Sequence, residues 1–278
     1  MSVGGDPLGT QEAILDARPR RSARGTLDRV AAVVLPLAAA VGLIVLWHVA
    51  TIVFGWEQFV VPTPGDVLQA LRDEQEILPD HTVTTLIETL EGYALAIAVG
   101  VPMAVFIAYS KTFERMIYPL LLAINAIPKI AIAPILVIWM GFGQGPKIVM
   151  VFLVCFFPIV LSTATGLQST PPEFVELARS LPASALQAFL KVRFPAALPH
   201  VFVGLKVAIS LAVIGAVIAE FVGSSEGLGY VIIASGNNAN TSLAFAAMVL
   251  LSVMSIVLFY ALVVLERLLV PWARHEQR

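Results

Sequence analysis

The sequence predicts an all-α protein that crosses a membrane six times. Its composition, the lengths of its apolar runs and the sidedness of its basic residues carry that prediction. Of its 278 residues, 58% are hydrophobic and 13% charged, and the mean hydropathy is +0.88. Ordinary globular chains are about 45–50% apolar and about 25% charged, and one core of this size could not bury so much apolar surface. The bilayer takes that role. A net charge of −2 gives no basic excess for nucleic acid. Cys155, the one cysteine, lies in an apolar run; alone it forms neither an intramolecular disulfide nor a zinc cluster, and reads as a small buried hydrophobe.

A membrane helix needs about 20 largely apolar residues. Six stretches qualify: 30–54, 83–109, 116–140, 146–167, 200–222 and 243–270. Before the first lies a polar basic tail, 1–28, and after the last a short tail, 273–278; residues 29–272 form the membrane domain. The run after Arg29 is too long for a secretory h-region and reads as a span. No tandem or inverted repeat is visible between the halves. Trp47, Trp139 and Trp272 suit interfacial anchors.

Basic residues set the orientation. Arg18, Arg20, Arg21, Arg24 and Arg29, then Lys111 and Arg115, then Arg179, Lys191 and Arg193, and finally Arg267, Arg274 and Arg278 all fall on one side. The opposite connections hold only Arg72 and Lys147. By the positive-inside rule both termini are expected in the cytoplasm of a multi-pass inner-membrane protein. Segment 55–82 is then outside and acidic, with Pro62-Thr63-Pro64-Gly65-Asp66 as a turn into a short helix that Asp66 caps. Segment 223–242, rich in Gly, Ser and Asn, is also outside.

The inside connection 168–199 is long enough to expect a function. Pro171 and Pro172 open a helix with Glu173 and Glu176 in its first turn, which suits the helix dipole. Phe174, Leu177, Ala178 and Leu181 repeat at helical spacing along one apolar face, and Pro182 ends the helix. Ser184 caps a second helix over 185–192, and Pro195 and Pro199 punctuate the approach to the fifth span. An apolar helix face on the surface of a polytopic protein fits a partner's groove, or packs on the protein's own spans.

Glu176-Leu177-Ala178-Arg179-Ser180-Leu181-Pro182-Ala183-Ser184, followed by Arg193-Phe194-Pro195, resembles the EAA loop of binding-protein-dependent ABC importer permeases. The chain departs from that pattern at Leu177, Pro182, Val192 and Phe194. Only Pro182, in place of glycine, is chemically severe, because proline cannot take a left-handed turn. Val61-Pro62-Thr63-Pro64, Ile127-Pro128-Lys129-Ile130-Ala131, Trp139-Met140-Gly141-Phe142-Gly143, Ala219-Glu220-Phe221-Val222-Gly223 and Gly227-Leu228-Gly229 resemble the nitrate/sulfonate/taurine branch. The resemblance covers about residues 30–272. It implies an inner-membrane permease, a homodimer, with two cytoplasmic ATP-binding subunits and an extracytoplasmic solute-binding protein as partners. Phe174, Glu176, Leu177, Ala178, Leu181, Pro182 and Pro195 would couple it to the ATPase. The implied solute is a sulfonate-, taurine- or nitrate-like anion, with aromatic carboxylates, riboflavin or a thiamine precursor as further members of the branch.

No lysine follows a glycine, so the chain has no phosphate-cradling G-x-x-x-x-G-K-[ST] motif. ATP and Mg are expected on the partner ATPase, with no cofactor in this chain. His48, His81, His200 and His275 are too scattered for a local metal motif, and no catalytic constellation is evident. Intramembrane polar groups are costly and invite functional readings. Lys129 lies mid-span between Pro128 and Pro134, prolines that should disturb the helix, with Asn125 one turn before it on the same face, and Glu220 lies late in the fifth span; these three are the candidate pathway residues. Lys129 either lines a wet path or is neutralised by Glu220 or another carboxylate. Glu88 and Glu91 lie in the second span. The alternative to an ABC permease is an ion-gradient-driven carrier using Lys129, Glu220 or Glu91.

Overall fold

The computed structural model of the chain describes residues 24–170, 173, 176, 180 and 184–272. Every regular element among them is helical. Helix α1 (Arg24–Val53) belongs to a compact unit that ends at Trp56, and its side chains from Val34 onward are mostly exposed and apolar, as a lipid-facing span requires. The remaining helices belong to a second unit, Glu57–Arg278.

That unit opens with α2 (Pro64–Asp73), whose cap corrects the sequence reading. Thr63, rather than Asp66, is the N-cap, and Asp66 is its capping-box partner three residues on. The Asp66 N–H donates to Thr63 Oγ1, and the Thr63 N–H donates to Asp66 Oδ2. Helix α3 (Leu78–Tyr109) follows, then α4 (Lys111–Ala126), capped by Ser110. The expected third span, 116–140, is not one rod. It breaks at Ile127–Pro128 into α4 and α5 (Lys129–Met140), which meet at 90°. Proline has no N–H to give the preceding turn and drives the residue before it extended; Ile127 is extended. Five helices are therefore long and apolar enough to cross a membrane, or six if the bent pair is one span.

Helix α6 (Gln144–Gln168) is the centre of the unit, packed against α3 and, more extensively, against α8 (Phe194–Gly223). Small residues allow these close crossings. A Cβ on Gly92 of α3 would stand 2.4 Å from Val151 Cβ, and one on Gly204 of α8 would stand 2.5 Å from Ser162 Cβ. Tyr93 and Ala96 of α3, Val151, Cys155 and Ile159 of α6, and Ala208 and Ala212 of α8 form the shared core. Cys155 is wholly buried there and donates to the Ala208 carbonyl.

The approach to α8 differs from expectation. Ser184 does cap the following helix, α7 (Ala185–Ala188), accepting from the Gln187 N–H at 3.2 Å. The chain then runs through a π-helical turn, Phe189–Arg193, directly into α8. Pro195 and Pro199 thus lie inside a helix instead of punctuating a loop. Pro195 lies just past the π turn in this continuous helical run, so a residue with no N–H to give and a wider turn fall together as one local departure from α geometry. Helices α9 (Leu228–Asn237) and α10 (Thr241–Leu269) complete the unit; α10 packs on α2, α8 and α9.

Candidate functional site

Two polar assemblies stand out, one at each end of α3. The first gathers where α3 begins, α6 begins and α8 ends. Glu88 and Thr85 project from successive turns of α3, Lys147 from the first turn of α6 and Glu220 from the last turns of α8. All four are buried, and Glu88 and Thr85 are at 0% exposure.

Lys147 Nζ donates to Glu88 Oε1 at 2.6 Å, so a buried cation meets a buried anion. Leaving either charge alone in this setting would cost several kcal/mol. The Glu220 carboxylate is held separately. Thr85 donates its hydroxyl to Glu220 Oε1 at 2.7 Å, and the Gly229 N–H donates to Oε2 at 2.6 Å. The Leu228 N–H donates to Thr85 Oγ1 at 2.8 Å, and the Gly227 N–H to His81 Nδ1 at 3.0 Å. Three consecutive N–H groups at the start of α9, unsatisfied within the helix itself, are thus taken by side chains of α3 and α8. A carboxylate is also the charge that a helix N-terminus favours.

The glycines of Gly227-Leu228-Gly229 are explained by this clasp. Gly227 has φ +99°, and a Cβ there would lie 2.1 Å from Glu220 Oε1; one on Gly229 would lie 2.6 Å from Oε2. The backbone approaches the carboxylate so closely that no side chain fits. A cavity of about 330 Å3 opens beside this cluster, between the turn joining α5 to α6 and the segment after α8. Glu88 and Lys147 line it, with Thr84, Gln144, Ser224 and Glu226.

The second assembly lies at the other end of α3. Tyr109 meets Phe189 edge-on at 5.6 Å, Phe189 meets Phe194 at 5.8 Å, and the Arg193 guanidinium sits 5.5 Å from the centre of the Tyr109 ring. The π-helical turn is thereby pinned to α3 by aromatic and cation–π contacts. Separately, Lys206 of α8 and Glu266 of α10 form an ion pair at 2.9 Å.

The residues singled out in the sequence divide accordingly. Lys129 and Asn125 are brought together across the α4–α5 elbow: Lys129 Nζ donates to Asn125 Oδ1 at 2.8 Å and to its carbonyl at 3.1 Å. Glu220 is elsewhere, bound to Thr85 and Gly229, so the Lys129–Glu220 pair considered above is not made. Glu176 is helical and exposed, and Pro195 is half-buried in α8. Phe174, Leu177, Ala178, Leu181 and Pro182 lie outside the described residues. The Lys147–Glu88 pair escaped the sequence reading because Lys147, next to Pro146 at a span's edge, was assigned to a solvated connection. The available signal was a lysine and a glutamate each placed near the same expected end of two apolar runs.

A bundle of apolar helices with a buried ion pair, a broken span and a helical segment pinned at one end is the architecture of a transport subunit embedded in a membrane. The chain belongs to the family described as the binding-protein-dependent transport system inner membrane component, whose model matches residues 96–275. It is a permease subunit of an ABC importer, which separates it from the ion-gradient-driven carriers weighed above. A probable ABC transporter permease protein of Haemophilus influenzae is 38% identical over 82% of this chain and 93% of its own length. The formylaminopyrimidine transport permease ThiX of Halalkalibacterium halodurans is 34% identical, covering 84% of this chain and 94% of that protein. The riboflavin transport system permease RibX of Chloroflexus aurantiacus is also 34% identical, covering 83% and 87%. An inward-facing structure of the MetNI methionine ABC transporter shares the fold, with TM-score 0.64 and 20% identity over 71% of this chain and 98% of that one. Family membership implies an ATPase and a substrate-binding protein as partners.

Proposed function

We propose that two copies of this chain form the membrane core of an importer, with two ATPase subunits docked on the 168–199 segment and a binding protein on the opposite face. ATP and Mg are bound by those partner subunits. The basic residues around 168–199 assign that segment and both termini to the cytoplasm. The clasp of Glu220, Thr85 and Gly229 then lies at the outer mouth.

One observation carries the coupling half of this reading: α3 touches the docking region at one end and the outer cluster at the other. Tyr109 contacts Phe189 and Arg193, and Glu88 and Thr85 sit about 21 and 24 residues earlier on the same helix, a rise of roughly 32–36 Å. Closing of the ATPase pair shifts the docked segment, and the packed unit of α3, α6 and α8 carries that shift to the outer mouth. The ATP-bound partner thus biases one of two global states by differential contacts, and hydrolysis restores the inward-open state. The chain itself moves no electrons and breaks no bond.

The test is a charge placed on the docking face. In the complex with its ATPase and binding protein, Ala178→Asp buries an unpaired carboxylate at the interface, a loss of about 2–5 kcal/mol. Transport and solute-stimulated ATP turnover are expected to collapse while the permease still inserts. Wild-type transport by this variant refutes the docking assignment.

A further inference from the structure

Eight Asp, Glu, Lys or Arg side chains fall within the six expected spans. Seven of them are answered inside the chain. Lys147 pairs with Glu88 and Lys206 with Glu266, Lys129 is bonded to Asn125, Thr85 and Gly229 hold Glu220, and Arg267 also has a partner. Glu91 is the exception. Among the described residues it makes no ion pair or hydrogen bond, and it is exposed. It stands eight residues beyond Val83, about 12 Å into the span, and the next residue, Gly92, packs closely on Val151 of α6. Charges at such depth face a bundle interior or a water-filled cavity, because lipid tails give them neither counter-ion nor water. Exposure of Glu91 excludes the interior of its own bundle. The face around it also differs from the lipid-facing ones. Ala94, Ala98 and Pro102 continue it at helical spacing and are exposed, whereas α1 and α10 present large apolar side chains such as Leu43 and Val257.

We propose that Glu91 lines a water-filled solute pathway between two copies of the chain, where its carboxylate receives hydrogen-bond donors or positive charge on the passing solute and disfavours anions. The proposal rests on the two-copy permease reading and deepens it by assigning one wall of the pathway and the sign of its charge. The small side chains of Ala94 and Ala98 leave room beside α3 for water and solute, while Glu91 supplies the charge that keeps the space wet. Two copies bring two such carboxylates to one path. Low-dielectric walls lined by one sign of charge change local ion concentrations by about 10–1,000-fold.

The test labels single thiols in the full chain, assembled with its ATPase and held in permeabilised membranes so that reagents reach both faces. Ala94→Cys and Ala98→Cys lie one and two turns deeper than Glu91 on the same face, and Val257→Cys on α10 is the lipid-facing reference. Cys155 is wholly buried and common to all of them. Each is treated with the trimethylammonium-ethyl and the sulfonato-ethyl methanethiosulfonates, which react from water. Both α3 thiols are expected to react at least tenfold faster than Val257→Cys, since the hydrocarbon core holds no water. In water a unit charge about 6 Å away changes each rate by about threefold, with opposite signs for cation and anion. Glu91→Gln, which strands no buried partner, should therefore lower the cation-to-anion rate ratio at Ala94→Cys about fivefold or more, and Glu91→Lys should invert it. Rates at Ala94→Cys and Ala98→Cys no faster than at Val257→Cys place the face in lipid and overturn the proposal. So does an Ala94→Cys thiol that joins two copies by a disulfide yet stays unlabelled, which marks a dry interface. A ratio unmoved by both Glu91 variants also overturns it. Labelling does not depend on productive docking, so transport by Ala178→Asp stands or falls separately.

Discussion

The Thr85 hydroxyl lies 2.7 Å from Glu220 Oε1, across 135 residues of sequence. The same oxygen accepts the Leu228 N–H at 2.8 Å, so one threonine joins three helices. Hydroxyls that bond in both directions polarise each other's partners and give networks worth more than isolated pairs. Thr85→Val keeps the shape and removes both bonds, leaving a buried carboxylate oxygen and a buried N–H unsatisfied. A loss of about 2–6 kcal/mol of stability is expected, from about 1–3 kcal/mol for each of the two stranded groups. Thermal unfolding of the purified chain against wild type measures it.

The Lys147–Glu88 pair predicts a compensating double variant. Glu88→Gln or Lys147→Met alone should destabilise by about 3–5 kcal/mol, because each leaves an unmatched charge inside the bundle. Together they should recover most of the folded yield. A double variant no better than the worse single one would mean that the charges do not balance each other.

Two glycines of α9 should respond in opposite ways to the same substitution. At Gly229 a Cβ would stand 2.6 Å from Glu220 Oε2, whereas nothing lies within 4 Å of one at Gly236. Gly229→Ala is expected to cost about 1–3 kcal/mol through overpacking. Gly236→Ala should fall within about 0.5 kcal/mol of wild type or improve on it. Unfolding midpoints of the two variants give the comparison directly.

Lys129 should couple to Asn125 and not to Glu220. Contacting pairs show interaction energies of about 0.5–3 kcal/mol, whereas sites without shared partners add within about 0.3–0.5 kcal/mol. Double-mutant cycles with Lys129→Met, Asn125→Ala and Glu220→Gln are expected to give those two results. Strong Lys129–Glu220 coupling would contradict the hydrogen bonds of the elbow.

The 90° elbow between α4 and α5 makes topology a matter of parity. If the pair crosses the membrane as one span, a reporter after Arg278 is cytoplasmic, and Asn238→Cys reacts with an impermeant thiol reagent from outside. Both outcomes are expected. A re-entrant pair would put the two termini on opposite sides, and the reporter alone would reveal it.

Length and hydropathy made the helical class and most spans legible, because the bilayer demands about 20 apolar residues wherever a helix crosses it. That demand is local and needs no partner. The capping by Ser184, and the prolines that disturb 116–140, were legible for the same reason: their effects act within a few residues. The 90° angle at Ile127–Pro128 was not, since proline removes a hydrogen bond without setting a direction, and packing of α5 on α6 and α8 supplies it. Lys147 with Glu88, Glu220 with Thr85, and the tight contact of Gly227 and Gly229 with a carboxylate were decided by the tertiary structure alone. Each joins residues from separate helices, and burial rewards only the pairing that the packed bundle brings within hydrogen-bond reach. A charge in an apolar run shows that some partner must exist; which one it is depends on how the helices cross.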